Sequence, residues 1–540
     1  MESMRPTAGR GRQTSVFAGA VLAVAALVAG CIPGLASADG QHLTIRSAAS
    51  MRHADTGPIG PVARRAITQG YLVPHQARYE RRKARLSRRN EARDALASPA
   101  IGGPLAPTAI RSWTGINNPL FSPPDGTSAV GTSRYIELVN SNFAIYDKTS
   151  NTPIRTGALN SLIGAPSGTD SSDVQILWDA QTNRFYYAAD EVLSSNNNRV
   201  AFGFSKTASP NSAADWCKYS IGFGAIIPDF PKLGDSEHFV IIGVNRFDAS
   251  NNFLGSQIEA ISKPGGGGTC PAASSFKEGG KVLTGGFTPT PANEIDTSSI
   301  GWAVARTLSL PGNKLQLYRI TRDGATGKPV ISGAPKSVPV PSYNLPPDAP
   351  QQGSTHTIDT NDGRNTQAQA AIDPAHGDKF AIWTQHTVRG GAGAEVRWYE
   401  INPAGRSVIQ KGKVTSPSLF EYNGAIAPNR RVNGSTESGG DAMVLNFNTS
   451  SSAAKPGIRM VSKIGTAAQS SQVRVKKSPG QLSGFDCAGS GACRWGDYAA
   501  VTPDPSAANR MWNVSQFAVG SGSGTSGPAT SRTFNFVVRP

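Results

Sequence analysis

A phrase recurs seven times along this chain: a short polar residue, most often Asp, stands a few positions ahead of a short apolar strand that runs into a turn. It reads Asp125-Gly-Thr-Ser-Ala-Val-Gly, Asp173-Val-Gln-Ile-Leu-Trp-Asp, Asp235-Ser-Glu-His-Phe-Val-Ile-Ile-Gly, Asp296-Thr-Ser-Ser-Ile-Gly-Trp-Ala-Val, Asn365-Thr-Gln-Ala-Gln-Ala-Ala-Ile-Asp, Asn423-Gly-Ala-Ile-Ala-Pro and Asp497-Tyr-Ala-Ala-Val-Thr-Pro-Asp. Repeats spaced roughly 40 to 75 residues apart, each rich in strand formers and turn formers, are the signature of a β-propeller. The fold class expected is therefore all-β, a propeller of seven blades, with six as the alternative count.

The first segment stands apart from the fold. Arg5, Arg10 and Arg12 precede an apolar run from Val16 to Gly30, followed by the break at Pro33-Gly34. This is the layout of a signal peptide, and the run is shorter than the roughly 20 residues that span a bilayer. Two cleavage readings follow. Ala36-Ser37-Ala38 is a small-residue site, giving a signal peptide over 1–38 and a secreted protein. Val28-Ala29-Gly30-Cys31 resembles a lipobox, giving a protein lipid-anchored at the cell surface through Cys31. Cleavage after Ala38 is preferred, because a helix breaker followed by Ala-x-Ala is the expected end of a secretory signal. Either way Cys217, Cys270, Cys487 and Cys493 remain, an even set in an oxidising compartment. The expected pairs are Cys487 with Cys493 and Cys217 with Cys270.

Residues 39–110 differ in composition from the rest and read as a basic linker, disordered or helical. Between His75 and Ala97, Arg78, Arg81, Arg82, Lys83, Arg85, Arg88, Arg89 and Arg93 face only Glu80, Glu91 and Asp94. With few apolar residues at helical spacing, the run offers no face to bury and reads as a solvated tether. Attraction to lipid headgroups or wall polymers is its functional alternative. The segment holds 12 Lys/Arg against 5 Asp/Glu, so +7 of the chain's formal charge of +16 lies outside the propeller. Nucleic acid is not an expected partner, since the aromatics of the folded part are not interleaved with basic residues as a stacking platform requires.

From residue 111 to 540 short alternating runs are separated by Gly, Pro, Ser, Thr and Asn, and long helical periodicity is missing. Seven segments can be laid out, near 112–160, 168–225, 229–265, 276–332, 338–415, 416–476 and 484–540. The last strand, Thr533-Phe-Asn-Phe-Val-Val538, is expected to close the ring with sequence from Ile110 to Trp113, which would remove an exposed edge.

Ser128-Ala-Val-Gly131, Tyr135-Ile-Glu-Leu-Val-Asn140 with Ile145-Tyr-Asp-Lys148, and Arg494-Trp-Gly-Asp-Tyr498 with Asp504-Pro505 and Trp512 resemble secreted bacterial propellers of the sialidase-like type. That architecture hosts glycosidases, lectins and scaffolds alike. As an enzyme the resemblance implies an exo-acting glycosidase of sialidase type, with Arg306, Arg364 and Arg397 for a carboxylate, Tyr498 as nucleophile, and Glu237 and Asp235 as acids. The Ser-x-Asp-x-Gly-x-Thr-Trp turn of true sialidases is not intact here; Ser122-Pro-Pro-Asp125-Gly-Thr departs from it. No Gly-x-Ser-x-Gly elbow, His-Glu-x-x-His pair or phosphate loop is present, so no catalytic residue is assigned.

What remains is the repeated polar position. If every inner strand begins at the same end of the channel, Asp125, Asp173, Asp235, Asp296, Asn365, Asn423 and Asp497 ring one mouth with oxygen atoms. Such a ring would suit Ca²⁺ or a polar, cationic ligand. The structural alternative is that each Asp or Asn caps the turn into its own strand. Function is accordingly read as that of a monomeric binding module for a surface glycan, a wall polymer or a protein, touching membrane only through Cys31 or the basic linker.

Overall fold

The computed structural model describes residues 45–47, 67–68, 72–91, 106–166, 169, 171–192, 196–487, 492–520 and 530–540. The expected signal peptide, Cys31 and much of the linker lie outside the described residues. No helix among the described residues is long and apolar enough to cross a membrane.

Seven antiparallel sheets make a seven-bladed β-propeller. From the inner strand outward, blade one is Thr127–Val130, Arg134–Val139, Asn142–Asp147 and Pro153–Ala158. Blade two runs Ser171–Asp179, Arg184–Glu191, Asn198–Ser205 and Trp216–Gly224, with Ile45–Ser47 added at its outer edge. Blade three is Ile227–Asp235, Phe239–Phe247, Phe253–Ser262 and Glu278–Leu283. Blade four is Gly286–Pro291, Gly301–Thr307 and Gly312–Arg322, whose outer edge pairs with both Pro329–Ile331 and Lys336–Tyr343. Blade five is Asn365–Asp373, Lys379–Gly390, Gly393–Asn402 and Ser407–Val414, and blade six Phe420–Pro428, Ala442–Ser451, Ala454–Ile464 and Val473–Lys477. Blade seven joins Ala500–Pro503, Met511–Ala518 and Ser531–Arg539 to the early strand Thr108–Thr114, which is the closure expected from the sequence. Two borders differ from the expected segments: Glu278–Leu283 and Lys336–Tyr343 each finish a blade rather than begin one.

Each inner strand packs on the next, and the seventh on the first. Middle strands are covered on both faces by neighbouring blades, so they carry near-continuous apolar runs such as Phe185-Tyr-Tyr-Ala-Ala, buried along their whole length. Outer strands meet water on one face and alternate, as Lys336–Tyr343 does. The hydrophobic core is thereby divided into layers between blades. Ile136, Leu138 and Ile145 of blade one meet Trp178 and Phe185 of blade two, and Trp383 and Trp398 of blade five meet Met443 and Leu445 of blade six. At the seam between blades seven and one, Trp113 packs edge to face on Tyr135, Tyr146 and Trp512, with the Arg111 guanidinium 4.9 Å from Trp113 and 5.0 Å from Trp512. Because burial of apolar surface is satisfied between the blades, the axis is free to be polar.

Both expected disulfides form. Cys217–Cys270 ties the outer strand of blade two to a loop of blade three, and Cys487–Cys493 closes a short loop before blade seven.

The inner strands share an irregularity. In blades two to six two residues of the inner strand stand opposite one of the next strand, shifting the register by one, at Asp173-Val174, Phe230-Pro231, Thr288-Pro289, Thr366-Gln367 and Asn423-Gly424. Asp173, Phe230, Thr288 and Asn423 hold left-handed backbone there, with φ of 50°, 59°, 57° and 48°, and Asp125 does so at 46° just ahead of blade one. The bulge bends the start of these inner strands and adds to their twist.

Candidate functional site

The repeated polar positions divide between the two ends of the channel. Asp125, Asp173, Asn365, Asn423 and Asp497 sit where inner strands begin, at what we call the near mouth. Asp235 and Asp296 do not join them, which corrects the expected ring of seven. Asp235 is the last residue of its inner strand, five residues past Phe230 and so roughly 16 Å along it. At that far mouth Lys263 Nζ lies 2.9 Å from both Asp235 and Asp179, and the Glu294 N–H donates to Asp235 at 2.8 Å. Asp296 accepts the N–H of Ile372 at 2.8 Å.

Nor are the near-mouth residues caps of their own turns. Asp125 accepts the Asp497 N–H at 2.7 Å and Asn140 Nδ2 at 2.8 Å, linking blade one to the run into blade seven. A side chain at Gly496, where φ is 136°, would strike Gln516 and Asp125, so only Gly lets this approach happen. Asn140 Oδ1 takes the Asp173 N–H at 2.9 Å, and Asn423 Nδ2 donates to Asn448 Oδ1 at 3.2 Å.

Inside the mouth lies Lys232, just past the blade-three bulge and 1 % exposed. Its Nζ stands 3.5 Å from the Tyr498 ring centre and 4.1 Å from that of Phe230, and it has no hydrogen-bond partner. Arg364 stacks 4.4 Å from the other aromatic neighbour, Phe230, and 5.0 Å from Phe287. Asp125, Asp173, Asp190, Asp229 and Asp497 are buried around this centre. Burial, then repulsion from Asp497, pushes the Asp125 carboxyl up to about 7. Burial likewise pushes Asp229 up to about 7 and Asp190 to about 6, and raises Asp173, where Asp190 adds to it. Burial lowers the Lys232 ammonium, outweighing Asp173, Asp497 and Asp125. The chamber thus holds more carboxyl groups than cations to answer them, and Asp229 Oδ2 has no partner.

Above the chamber the segment between blades four and five carries Asp348, Asp359 and Asp362. Asp359 and Asp362 are both centres of ion pairs, with side chains 14 % and 1 % exposed. Arg364 and Arg306 hold Asp362 at 3.0 and 3.1 Å, and against the upward push of burial they keep its carboxyl well below the usual range. Arg494 spans Asp359 at 2.8 Å and Asp497 at 2.6 Å.

The basic run closes this end. Gln76–Glu91 is a helix, and its buried face is Lys83, Leu86 and Ser87. The expectation of a tether with nothing to bury fails because the face is mostly polar, which a search for apolar spacing does not see. Lys83 Nζ is 3.3 Å from Asp348 and 3.2 Å from Asp359, and donates to the Thr360 hydroxyl at 3.0 Å and the Asn361 carbonyl at 2.6 Å. Ser87 and Asp348 exchange two more hydrogen bonds, and Arg364 donates to the Leu72 carbonyl at 3.2 Å. A cleft of about 240 Å³ runs between the start of the helix and blade four, with Arg306 and Asp362 in its wall. Lys83→Met leaves the buried Asp348 without its cation and Asp359 with Arg494 alone, so the helix is expected to undock. Amide exchange over 76–88 should rise about tenfold or more while the inner strands keep their protection. Unchanged exchange would refute it.

The sialidase-type constellation is only partly assembled. Arg306 and Arg364 converge and Arg364 reaches Tyr498 through Phe230, which lies 4.8 Å from it. Arg397 is elsewhere, 2.8 Å from Glu395 and donating to the Ser342 carbonyl. Glu237 follows Asp235 at the far mouth. Lys232, Asp190 and Asp229 stand outside the sequence pattern and Lys83 enters it only as a member of the basic run; Lys232, beside the Pro231 of a bulge, carries a local signal.

No protein-family model matches this sequence, and no curated protein is significantly similar to it. Among solved structures, the cobalt-substituted Synechocystis apocarotenoid oxygenase is 12 % identical over 75 % of this chain and 80 % of its own, with a TM-score of 0.38. The Dos1 propeller is 9 % identical over 80 % and 95 %, with a TM-score of 0.37. Trypanosoma rangeli sialidase is 8 % identical over 68 % and 54 %, with a TM-score of 0.34. Similarity at this level carries no activity across.

Proposed function

We propose that this propeller is an exported binding module whose near mouth recognises a cationic group, Ca²⁺ or an ammonium, on a surface glycan, wall polymer or protein. The observation that carries the reading is the seat of Lys83. Two carboxylates, a hydroxyl and a backbone carbonyl converge on one ammonium, at distances of 2.6 to 3.3 Å. Below it, the carboxyl surplus around Lys232 favours the arrival of further positive charge. In this conformation the chain's own helix fills the outer seat.

The test is calorimetric titration of wild type and Lys83→Met with n-butylammonium and with Ca²⁺. Butylammonium is expected to bind the variant at least about tenfold more tightly than wild type, since the seat is vacated, and Asp359→Asn in the same background should abolish it. Ca²⁺ binding that falls in Asp125→Asn or Asp173→Asn would place the cation deeper. No binding of either by the variant overturns the reading. The alternative, an exo-acting glycosidase of sialidase type, rests on Tyr498 lying among buried carboxyl groups. Turnover of an aryl sialoside that Tyr498→Phe abolishes would replace the first reading with the second.

A further inference from the structure

We propose a second, independent site at the far end of blade five: a transition-metal centre of Zn²⁺ type held by Asp373, His376 and Glu400. Asp373 is the last residue of the inner strand and starts the 3-10 turn Pro374–His376, its Oδ1 accepting the Ala375 N–H at 2.8 Å. That turn folds the imidazole back, so His376 Nδ1 meets Asp373 Oδ2. Glu400 comes from the third strand of the same blade, Gly393–Asn402. One ligand atom from each of the three lies within 4.8 Å of the other two.

Two features separate this group from an acidic cluster on a surface. Asp373 and Glu400 are both 0 % exposed, so neither carboxylate is relieved by water. Glu400 Oε2 accepts from Gln410 Nε2 at 2.6 Å, but its Oε1 is buried with no partner. A buried, unanswered carboxylate oxygen beside a second carboxylate costs free energy unless a proton or a cation sits between them. Lys463 acts on this pair through its charge, and its ammonium donates to the Gly465 carbonyl at 2.6 Å.

The donor set decides which cation. One imidazole with two carboxylates suits Zn²⁺ and its neighbours, whereas Ca²⁺ and Mg²⁺ take oxygen ligands throughout. The His376 side chain is 21 % exposed, which leaves a solvent-facing path by which the ion enters and a water completes its coordination. A bound ion would brace the inner strand to the third strand where the blade meets solvent.

Protein stripped with chelator and dialysed is titrated with Zn²⁺ by calorimetry and with Co²⁺ by visible absorption. One Zn²⁺ per chain is expected, with a Kd of about 10 µM or tighter, and Co²⁺ should give ligand-field bands of a site containing imidazole. His376→Ala should weaken Zn²⁺ at least about tenfold and remove those bands, and Glu400→Gln should weaken it while leaving the thermal midpoint in chelator near that of wild type. Ca²⁺ in excess should not compete. Absence of a Zn²⁺ site, or a His376→Ala protein that binds it as wild type does, overturns the proposal. Neither result bears on the near mouth, which lies at the other end of the inner strand Asn365–Asp373.

Discussion

Arg494→Met is expected to lower the unfolding free energy by about 3–5 kcal/mol, the scale for removing one partner of a buried ion pair. The guanidinium holds Asp359 with one nitrogen and Asp497 with another, at 2.8 and 2.6 Å. It links the segment above the chamber to the run into blade seven. Without it, Asp359, Asp497 and the adjacent Asp125 are left buried with Lys83 and Lys232 as their cations. Arg494→Lys should recover little, because these two carboxylates are held by separate nitrogens of one planar guanidinium, and a lysine brings a single nitrogen to the same place. Adding Asp497→Asn to Arg494→Met should cost much less than the sum of the single changes, since the second removes a charge that the first orphaned. Denaturant midpoints at fixed pH decide it. Additive effects would show that Arg494 acts through packing.

The blades were legible in the sequence because strand runs and turns repeat whatever else varies, and the closing strand because Thr533–Val538 had no other partner in chain order. The near mouth was half legible, and left-handed backbone explains which half. Asp and Asn tolerate φ near 50°, so at Asp125, Asp173 and Asn423 the residue type itself marked the bulge. At Phe230 and Thr288 the same backbone is held by an aromatic and a β-branched residue. Nothing in those letters announces it, and the pattern slid onward to Asp235 and Asp296. The ion pairs were hidden for a different reason. Lys83 finds Asp359 across 276 positions and Arg494 finds it across 135, so no local periodicity records either contact. The fold brings them together by closing the ring.

The chamber also predicts an unusual pH profile for the metal-free protein. Asp125 and Asp229 titrate near 7 and Asp190 near 6 in the folded chain, against an ordinary value of 3.8, and Asp173 is raised with them. Between about pH 4 and 7 the folded state therefore binds more protons than the unfolded one, so these groups stabilise most below pH 4 and lose that contribution as pH rises through 7. A single three-unit shift corresponds to about 4 kcal/mol, and the four groups share their protons as a coupled set. Lys232 works in the opposite sense, since its lowered ammonium makes the folded state bind fewer protons below 10.5, but it is one group against four. Asp362, held down by its two arginines, opposes only in strong acid. In chelator, stability should fall by several kcal/mol from pH 5 to 8, where most proteins are near their maximum. Asp125→Asn should flatten the fall and raise stability at pH 8, because an amide has no charge to bury. A cation seated at the near mouth would do the same by answering the ionised carboxylates, which turns the slope itself into a reporter of occupancy. A denaturation midpoint that climbs steadily from pH 5 to 8 in chelator would show that the carboxyl groups are solvated and that the chamber is not the dry, acid-rich centre described above.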